Sequence, residues 1–210
     1  MKGEFRVRDL TRIAGKGTAR TLHKENGTRI TTDPSKVYFN PRLSSERARV
    51  ASLVKKGEII IDMFGGVAPF GCVICRNASP SKVYSIDLNP ACEPFARENA
   101  KINRIRNLEP ITGDAVEVIE TLPKADRIVM NLPQMADQFL QYALAHIKPS
   151  GTIHMHRILM KDELEEYKTS ISQKMEELGR PMEIMSVLEL KNYSPVQCVY
   201  ILDIRPRKKS

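Results

Sequence analysis

The sequence predicts an α/β protein built on a doubly wound, mostly parallel sheet, preceded by a small β-rich segment. Two observations lead to this fold class. From residue 58 onward, short apolar runs typical of strands alternate with longer stretches of helical periodicity. After the last helical stretch, two further strand-like runs are spaced for an antiparallel pair. Alternation of this kind is typical of parallel strands joined by right-handed helical crossovers.

The elements of this larger part follow in chain order. Five runs are predicted as strands, at residues 58–62, 82–87, 108–112, 127–131 and 151–156. Four helices fit between them, at residues 68–78, 90–105, 115–121 and 134–147. A seven-stranded sheet is completed by an amphipathic helix and the closing pair, at residues 161–178, 182–190 and 197–205.

The first quarter of the chain has a different character. Its β-like runs lie at residues 4–7, 20–23 and 36–39, with turn signals at Gly15, Gly17, Gly27 and Asp33-Pro34. A helix with a partial apolar stripe is predicted over residues 41–56 and connects the two parts. We therefore expect a small N-terminal subdomain with its connecting helix, residues 1–56, and a larger domain, residues 57–210.

Composition excludes several classes of protein. Apolar residues make up 41% of the 210 residues and charged residues 28%, which fits neither a collagenous nor a disordered chain. No stretch approaches the roughly 20 apolar residues of a membrane span, so no membrane association is expected. Four cysteines are too few for a disulfide framework, so a reducing, cytoplasmic compartment is expected. A monomeric protein is also expected.

The net charge of +8 is concentrated in the N-terminal part. Residues 1–56 carry 14 Lys and Arg against 5 Asp and Glu, whereas residues 57–210 carry 19 against 20. Such asymmetry predicts a polyanionic partner, with nucleic acid as the first candidate. The alternative is a basic face that contacts only solvent.

A glycine-containing turn follows the first strand of the larger domain. Gly65 and Gly66 would let a ligand approach the backbone closely, and the next helix would offer its positive N-terminus. The run does not spell the glycine pattern that binds a dinucleotide pyrophosphate, and Pro69 leaves fewer amide donors for phosphates. These features favour a smaller ligand with an amino-acid end.

Polar residues recur where the next three strands end. Asp87 is placed to accept both hydroxyls of a ribose, and Asp114 can reach an adenine amino group. The run Asn131-Leu132-Pro133 follows the fourth strand, where a substrate would meet the cofactor. A single aspartate at such a place is usually a helix cap. Four features in the right order instead predict S-adenosylmethionine as the cofactor.

Two other patterns do not favour redox or metal chemistry. Cys72 and Cys75 form a C-x-x-C pair, but they follow the turn assigned to the cofactor and are interpreted as buried helix thiols. His154 and His156 share one face of a strand, with no third ligand evident. No metal is therefore expected.

The motifs together resemble a known family. The runs 62–70, 87–90 and 131–133 resemble class I methyltransferases, and the upstream runs 3–10 and 36–47 narrow the resemblance. The chain is similar over its whole length to the archaeal and eukaryotic tRNA guanine-N1 methyltransferases that act on guanosine 37. That resemblance implies a Rossmann-like fold, S-adenosylmethionine as methyl donor and tRNA as substrate. The chain departs from the family's usual Ala-Gly-Val-Gly at two positions, Gly65 and Ala68, where the family has alanine and glycine.

The resemblance also implies roles in the reaction. Glu46 matches the general base for guanine N1, with a helix partner for Arg49 as the alternative interpretation. Arg6 would stabilise negative charge on O6, and Arg8 is its main rival. Asn131 would donate to O6, and Pro133 would shape that loop.

Further residues are expected to bind the cofactor and the RNA. The cofactor set is Tyr38, Arg42, Phe64, Gly65, Gly66, Asp87, Leu88, Asp114 and Asn131. The alternative interpretations are a core residue for Tyr38 and a phosphate contact for Arg42. Backbone contacts to tRNA are expected from Arg8, Arg12, Lys16, Arg20, Lys24 and Arg29.

Three alternatives stay open. A related enzyme of the wyosine pathway could methylate or alkylate the base at the same tRNA position. A non-catalytic RNA-binding module is a second alternative, because members of the family usually carry a further N-terminal domain for which this chain has no room. A protein or small-molecule methyltransferase is disfavoured by the basic N-terminal part.

Overall fold

The computed structural model describes residues 16–207 and, before them, residues 7, 9–11, 13 and 14. Nine strands occur in this part of the chain: β1 Thr21–Glu25, β2 Thr28–Thr32, β3 Ile59–Asp62, β4 Lys82–Asp87, β5 Leu108–Thr112, β6 Ala125–Met130, β7 Ile147–Met160, β8 Met182–Asn192 and β9 Gln197–Pro206. The helices are α1 Ser44–Leu53, α2 Pro69–Asn77, α3 Cys92–Ile102, α4 Ala115–Glu120, α5 Ala136–His146 and α6 Leu164–Glu177. A short 3-10 turn, Pro41–Leu43, precedes α1.

The strands form two sheets. β1 and β2 make an antiparallel pair, and the other seven strands form one sheet in the order β5-β4-β3-β6-β7-β9-β8. Pairing is parallel between β4 and β5, β3 and β6, and β6 and β7, whereas β9 runs antiparallel to both β7 and β8. The predicted fold class, a mostly parallel doubly wound sheet with a closing antiparallel pair, is confirmed.

The chain divides into two compact units. The first comprises the residues up to Glu58 together with Phe64–Val118, and the second comprises Ile59–Met63 and the residues from Ile119 onward. The sequence-based division after residue 56 stays a prediction. In the first unit, Ile30, Val37, Val67 and Cys92 form a buried cluster with Phe39 and Phe95 packed against it.

The N-terminal hairpin differs from its prediction. Asn26 and Gly27 both have positive φ values, 43° and 73°, and this two-residue turn returns the chain directly into β2, which was not predicted. The strand predicted at 36–39 is wrong, because that segment starts with a turn. The amides of Lys36 and Val37 donate to the Asp33 carbonyl at 2.9 and 3.0 Å, so they cannot pair in a ladder. The run predicted at 4–7 lies outside the described residues except for Val7.

Two asparagines, Asn99 in α3 and Asn103 directly after it, complete the free edge of β2. Asn99 accepts from the Thr31 amide at 2.7 Å and donates to the Thr31 carbonyl at 3.1 Å. Asn103 does the same to Arg29, at 2.8 and 2.6 Å. The two side chains therefore take the place of a neighbouring strand.

The second unit encloses a buried polar chain across its strands. Arg127 of β6 lies 2.7 Å from Nε2 of His154 of β7, whose Nδ1 lies 2.5 Å from the Asp203 carboxylate of β9. All three residues are buried. His154 therefore stabilises the sheet by joining an arginine to an aspartate. Among the described residues, no group of three or more His, Cys, Asp or Glu could hold a metal ion.

Candidate functional site

The glycine turn before α2 has the backbone that a closely approaching ligand requires. Gly66 has a φ of 55°, and a Cβ there would lie 3.4 Å from the Tyr38 carbonyl. Ala68 also has a positive φ, 58°, immediately before Pro69 starts the helix. The amide of Gly65 donates to the Ile86 carbonyl at 2.6 Å, which ties the turn to the end of β4. The turn is thus a tight cradle that a side chain at residue 66 would strain.

Asp87 lies at the end of β4 and is held by this turn. Its Oδ2 accepts from the Gly66 amide at 2.7 Å, and its Oδ1 accepts from the Asn89 amide at 2.9 Å. Burial raises the pKa of the Asp87 carboxyl, and the hydrogen bonds from Asn89 and Gly66 act in the opposite direction. Leu88, the next residue, is exposed. The carboxylate is therefore oriented by the protein beside the cradle.

Asp114 occupies the same edge of the first unit. The Gly113 amide donates to the Asp87 carbonyl at 3.1 Å, so the two strand ends are joined directly. Asp114 is exposed, and its Oδ1 accepts from the Val116 amide at 2.7 Å. This contact is the helix cap that was the alternative interpretation of Asp114, and the adenine contact stays a prediction.

The segment that carries Tyr38 lies against the cradle. Asn89 donates from Nδ2 to the Lys36 carbonyl at 2.9 Å and so fixes this segment to the end of β4. A cavity of about 280 Å³ borders Tyr38 on the side of the β1–β2 hairpin and is also lined by His23 and Phe39. Tyr38 therefore borders both the glycine turn, through its carbonyl, and this cavity.

The other two residues expected on the methionine side have different exposures. Arg42 is exposed, and its amide donates to Asn40 Oδ1 at 3.1 Å. Phe64 is half-buried. No contact in the structure tests a cofactor role for either residue, so both stay predictions.

Glu46, the expected general base, is buried in the first turn of α1. Only 2% of the residue is exposed. Its two carboxylate oxygens accept from Nε and Nη2 of Arg49 at 2.7 and 2.9 Å. The helix pair that was the alternative interpretation therefore exists. A base role for Glu46 stays a prediction, and Arg49 is the residue that would hold its carboxylate in place.

Sequence reasoning missed a second buried ion pair beside Glu46. The Arg47 guanidinium donates to both oxygens of Glu25 at 2.5 and 2.6 Å, and both side chains are buried. The same guanidinium lies over the rings of Phe39 and Phe70 at 5.5 and 5.9 Å. The pair fixes α1 to the hairpin. The only signal for it in the sequence was a charged residue at a position of α1 that faces the core.

The structure describes four of the six expected RNA contacts. Lys16, Lys24 and Arg29 are exposed, and Lys24 stands directly opposite Arg29 in the β1–β2 ladder. Arg20 pairs with Glu98 and lies 5.7 Å from the centre of the Phe95 ring. Arg6, Arg8 and Arg12 lie outside the described residues. The structure therefore places two cations side by side on the hairpin.

Asn131 and Pro133 belong to the second unit, directly after β6. Both residues are half-buried. The Pro133 carbonyl accepts from the Ile158 amide at 3.0 Å and from Arg157 Nη1 at 3.2 Å. The loop is thus fixed to β7 through main-chain atoms, and it presents Asn131 at the carboxyl end of β6.

Curated relatives match nearly the whole chain. A tRNA (guanine(37)-N(1))-methyltransferase Trm5b of Pyrococcus abyssi is 38% identical over 98% of the chain and 61% of its own length. The Trm5b of Methanocaldococcus jannaschii is 39% identical over 100% of the chain and 59% of its own length. A tRNA(Phe) (4-demethylwyosine(37)-C(7)) aminocarboxypropyltransferase of M. jannaschii is 30% identical over 92% of the chain and 77% of its own length. The chain therefore spans about three-fifths of the length of the two Trm5b relatives.

Solved structures agree in fold. The complex of aTrm5 and tRNALeu has a TM-score of 0.84 and 38% identity, with 97% of this chain and 57% of that chain covered. M. jannaschii TYW2 in complex with AdoMet has a TM-score of 0.85 and 26% identity, with 94% of this chain and 90% of that chain covered.

A family model described as the TRM5/TYW2 methyltransferase domain matches residues 21–187, from β1 into β8. The match includes the glycine turn, the strand-end residues Asp87 and Asp114, the buried Glu46 and the loop after β6. The chain therefore belongs to the TRM5/TYW2 methyltransferase domain family.

Proposed function

We propose that the protein transfers a methyl group from S-adenosylmethionine to N1 of guanosine 37 in tRNA. The observation that carries this proposal is the match, over essentially the whole chain, to two relatives named for that reaction. The chain has Glu46, Asn131 and Pro133 at the positions to which the family resemblance assigns the chemistry. The relatives are longer, so the activity of this chain needs its own test.

The residues of the first unit fit S-adenosylmethionine. Gly65 and Gly66 carry no side chains, and the φ of 55° at Gly66 is a conformation that other residues rarely adopt. Asp87 would accept the ribose hydroxyls and Asp114 would reach the adenine, with Tyr38, Arg42, Phe64 and Leu88 around them. The TYW2 structure named as an AdoMet complex supports this assignment. When bound, S-adenosylmethionine supplies an electrophilic methyl group.

The chain's own residues would prepare guanine for attack. Guanine N1 carries a proton at neutral pH, so a base must remove it before or as the methyl group is transferred. Glu46 would take that proton, and the Arg49 guanidinium would hold the carboxylate in its orientation. Asn131 would donate to O6 and Arg6 would stabilise the charge that develops there. Pro133 would shape the loop that presents Asn131, and the base must leave its stack to reach these groups.

The test compares methyl transfer to two tRNA transcripts, one with guanosine and one with adenosine at position 37. We expect methylation of the first only, and equal labelling of both would contradict the proposal. Glu46→Gln should lower the single-turnover rate at least about a hundredfold while S-adenosylmethionine still binds. Glu109→Gln is the matched control, since Glu109 pairs with Lys82 on the surface of the same unit.

The wyosine-pathway reaction at the same position is the second candidate. It is supported by the relative named as a 4-demethylwyosine aminocarboxypropyltransferase, at lower identity than the Trm5b relatives. Mass analysis of the modified nucleoside distinguishes a methyl group on N1 from an aminocarboxypropyl group or a methylated ring carbon. A non-catalytic RNA-binding module would show no turnover at all.

The remaining predictions concern the binding partner, the cellular location and the oligomeric state. tRNA as partner is supported by the structure titled as an aTrm5 complex with tRNALeu. The four cysteines are free thiols. A cytoplasmic location and a monomeric state stay predictions. No helix in the described part of the chain is long and apolar enough to cross a membrane.

A further inference from the structure

The loop that carries Asn131 and Pro133 is fixed by one side chain of β7. Arg157 donates from Nη1 to the carbonyls of Pro133 and Gln134, at 3.2 Å each. The amide of Ile158, the next residue, donates to the same Pro133 carbonyl at 3.0 Å. Two consecutive residues of β7 therefore hold two consecutive carbonyls of the loop.

Arg157 is itself fixed by two helices. Its Nη2 lies 3.1 Å from Oδ2 of Asp137, in the first turn of α5. Its guanidinium carbon lies 5.6 Å from the centre of the Tyr167 ring of α6. The Tyr167 hydroxyl donates to the other Asp137 oxygen at 2.5 Å, and burial raises the pKa of Tyr167, so this donor keeps its proton. The Arg157 guanidinium is therefore held in one orientation, by the Asp137 carboxylate at its edge and by the Tyr167 ring at its face.

The chemistry of arginine suits this arrangement. A guanidinium is planar and presents several donors in a fixed fork, so one group can bind two carbonyls and a carboxylate together. A lysine ammonium is a compact charge without that fork. Pro133 has a fixed φ and no amide hydrogen, so its carbonyl is the main-chain group by which neighbours can hold this residue.

We propose that Arg157 is a positioning residue for methyl transfer, because it fixes the loop from which Asn131 and Pro133 act on the base. The inference rests on the proposed function. Arg157 acts through main-chain carbonyls, so its loss displaces the loop without removing a group that contacts guanine. A displacement of about 1 Å at a reacting group can lower a rate about a hundredfold.

The first experiment measures single-turnover methylation of a tRNA transcript by the 210-residue protein and its Arg157→Ala variant. We expect the rate to fall 10- to 100-fold and the Kd for S-adenosylmethionine to rise by a smaller factor, because Asn131 is the one residue of the expected cofactor set on this loop. Millimolar guanidinium should restore part of the rate and methylammonium should not, because only a planar fork binds both carbonyls. Arg157→Lys should resemble Arg157→Ala for the same reason.

The matched control is Arg180→Ala. Arg180 also donates from Nη1 to a main-chain carbonyl of the second unit, that of Gln141 in α5, and it is exposed. This variant should keep the wild-type rate and show no response to guanidinium. An Arg157→Ala rate within twofold of wild type, or a loss that guanidinium does not relieve, would overturn the inference.

A second experiment does not depend on turnover. Amide hydrogen exchange measures how often the hydrogen bonds of the loop after β6 open. Two amides monitor it: that of Ile158, and that of Met135, which donates to the Leu132 carbonyl at 3.0 Å. Both amides should exchange at least tenfold faster in Arg157→Ala than in Arg180→Ala. Unchanged exchange overturns the positioning role even if the wild-type protein proves inactive, whereas inactivity with faster exchange contradicts only the proposed reaction. If Arg157→Ala does not fold, Tyr167→Phe replaces it, with a smaller increase expected.

Discussion

Ala68 shows at the scale of one residue how the glycine turn differs from the sequence that is usual in the family. Its φ of 58° is left-handed, a conformation that costs an alanine roughly 1–2 kcal/mol and a glycine almost nothing. The sequence showed the unusual alanine, and only the structure showed that its backbone is strained. The residue is also fully buried, so the strain is held by the packing around it.

Ala68→Gly is therefore expected to raise the free energy of unfolding by about 0.5–1 kcal/mol, because relief of the strained φ outweighs the greater freedom of glycine in the unfolded chain. Urea denaturation measures the change. Ala100→Gly within α3 is the control and should lower stability by about 1 kcal/mol, since residue 100 is helical. A loss of stability in Ala68→Gly would contradict the explanation.

The C-x-x-C pair leads to a prediction about thiol reactivity. Burial raises the pKa of Cys75 to about 12, and it raises that of Cys72 as well. The reactive thiolate is therefore scarce in the native protein near pH 8, whereas an unfolded thiol titrates near 8.5. Native Cys75 should react with iodoacetamide roughly a thousandfold more slowly than in urea. Rapid labelling of the native pair at pH 8 would contradict the interpretation as buried helix thiols.

A sequence motif identifies a functional residue but not the distant groups that orient its side chain. The sequence identified Asp87 as a functional candidate, but not the distant amide that holds its carboxylate. Asp87 is held by Gly66, 21 positions earlier, because a turn and a strand end meet there. Contacts of this range depend on the tertiary arrangement and leave no local pattern.

At the scale of elements, α3 acts as an edge strand for the hairpin. Asn99 and Asn103 are one helical turn apart, about 6 Å along the axis. Thr31 and Arg29 are two strand residues apart, about 6.8 Å, so the two spacings nearly coincide. Asn99 also donates to the Val67 carbonyl at 3.0 Å, within the glycine turn. One buried asparagine thus joins the hairpin, α3 and the glycine turn.

Asn99→Leu should lower the free energy of unfolding by about 3 kcal/mol, because buried main-chain groups of Thr31 and Val67 lose their partners. Affinity for S-adenosylmethionine should fall as well, since the cradle loses a support. Asn103→Leu is the matched control: it makes similar contacts closer to the surface, where water can replace them, so a loss of about 1 kcal/mol or less is expected. Chemical denaturation and calorimetry measure both effects, and equal losses would contradict the argument.

Strands and helices that pack along most of their length agreed best with the sequence. β4 and β5 have the predicted bounds, because their apolar runs lie on a buried ladder. The β1–β2 hairpin did not agree with its prediction, because β2 is stabilised by the Asn26-Gly27 turn and by α3 rather than by its own apolar pattern. The predicted strand at 36–39 fails for the complementary reason, since no neighbouring strand pairs with that described segment.

At the scale of the molecule, part of the positive charge of residues 1–56 lies on the β1–β2 hairpin. Like charges directly opposite each other in a sheet are destabilising, so Lys24 opposite Arg29 favours an anionic partner there. Replacing both with Gln should weaken tRNA binding and reduce the slope of log affinity against log salt by about 1–2. The control is Lys168→Gln with Lys174→Gln on α6, which removes the same charge. Equal slopes in the two double variants would contradict a hairpin contact.

The sequence by itself determined the fold class, the order of elements, the concentration of positive charge and the identity of the candidate site residues. These properties are local, because periodicity, turn chemistry and motif residues act over a few positions. Only the tertiary structure decided which distant groups orient those residues: Gly66 on Asp87, Asn99 on the glycine turn and Arg157 on the loop after β6. Such partners are set by packing between segments that are distant in the chain, and hydrogen bonds between them form only once the fold has brought them together.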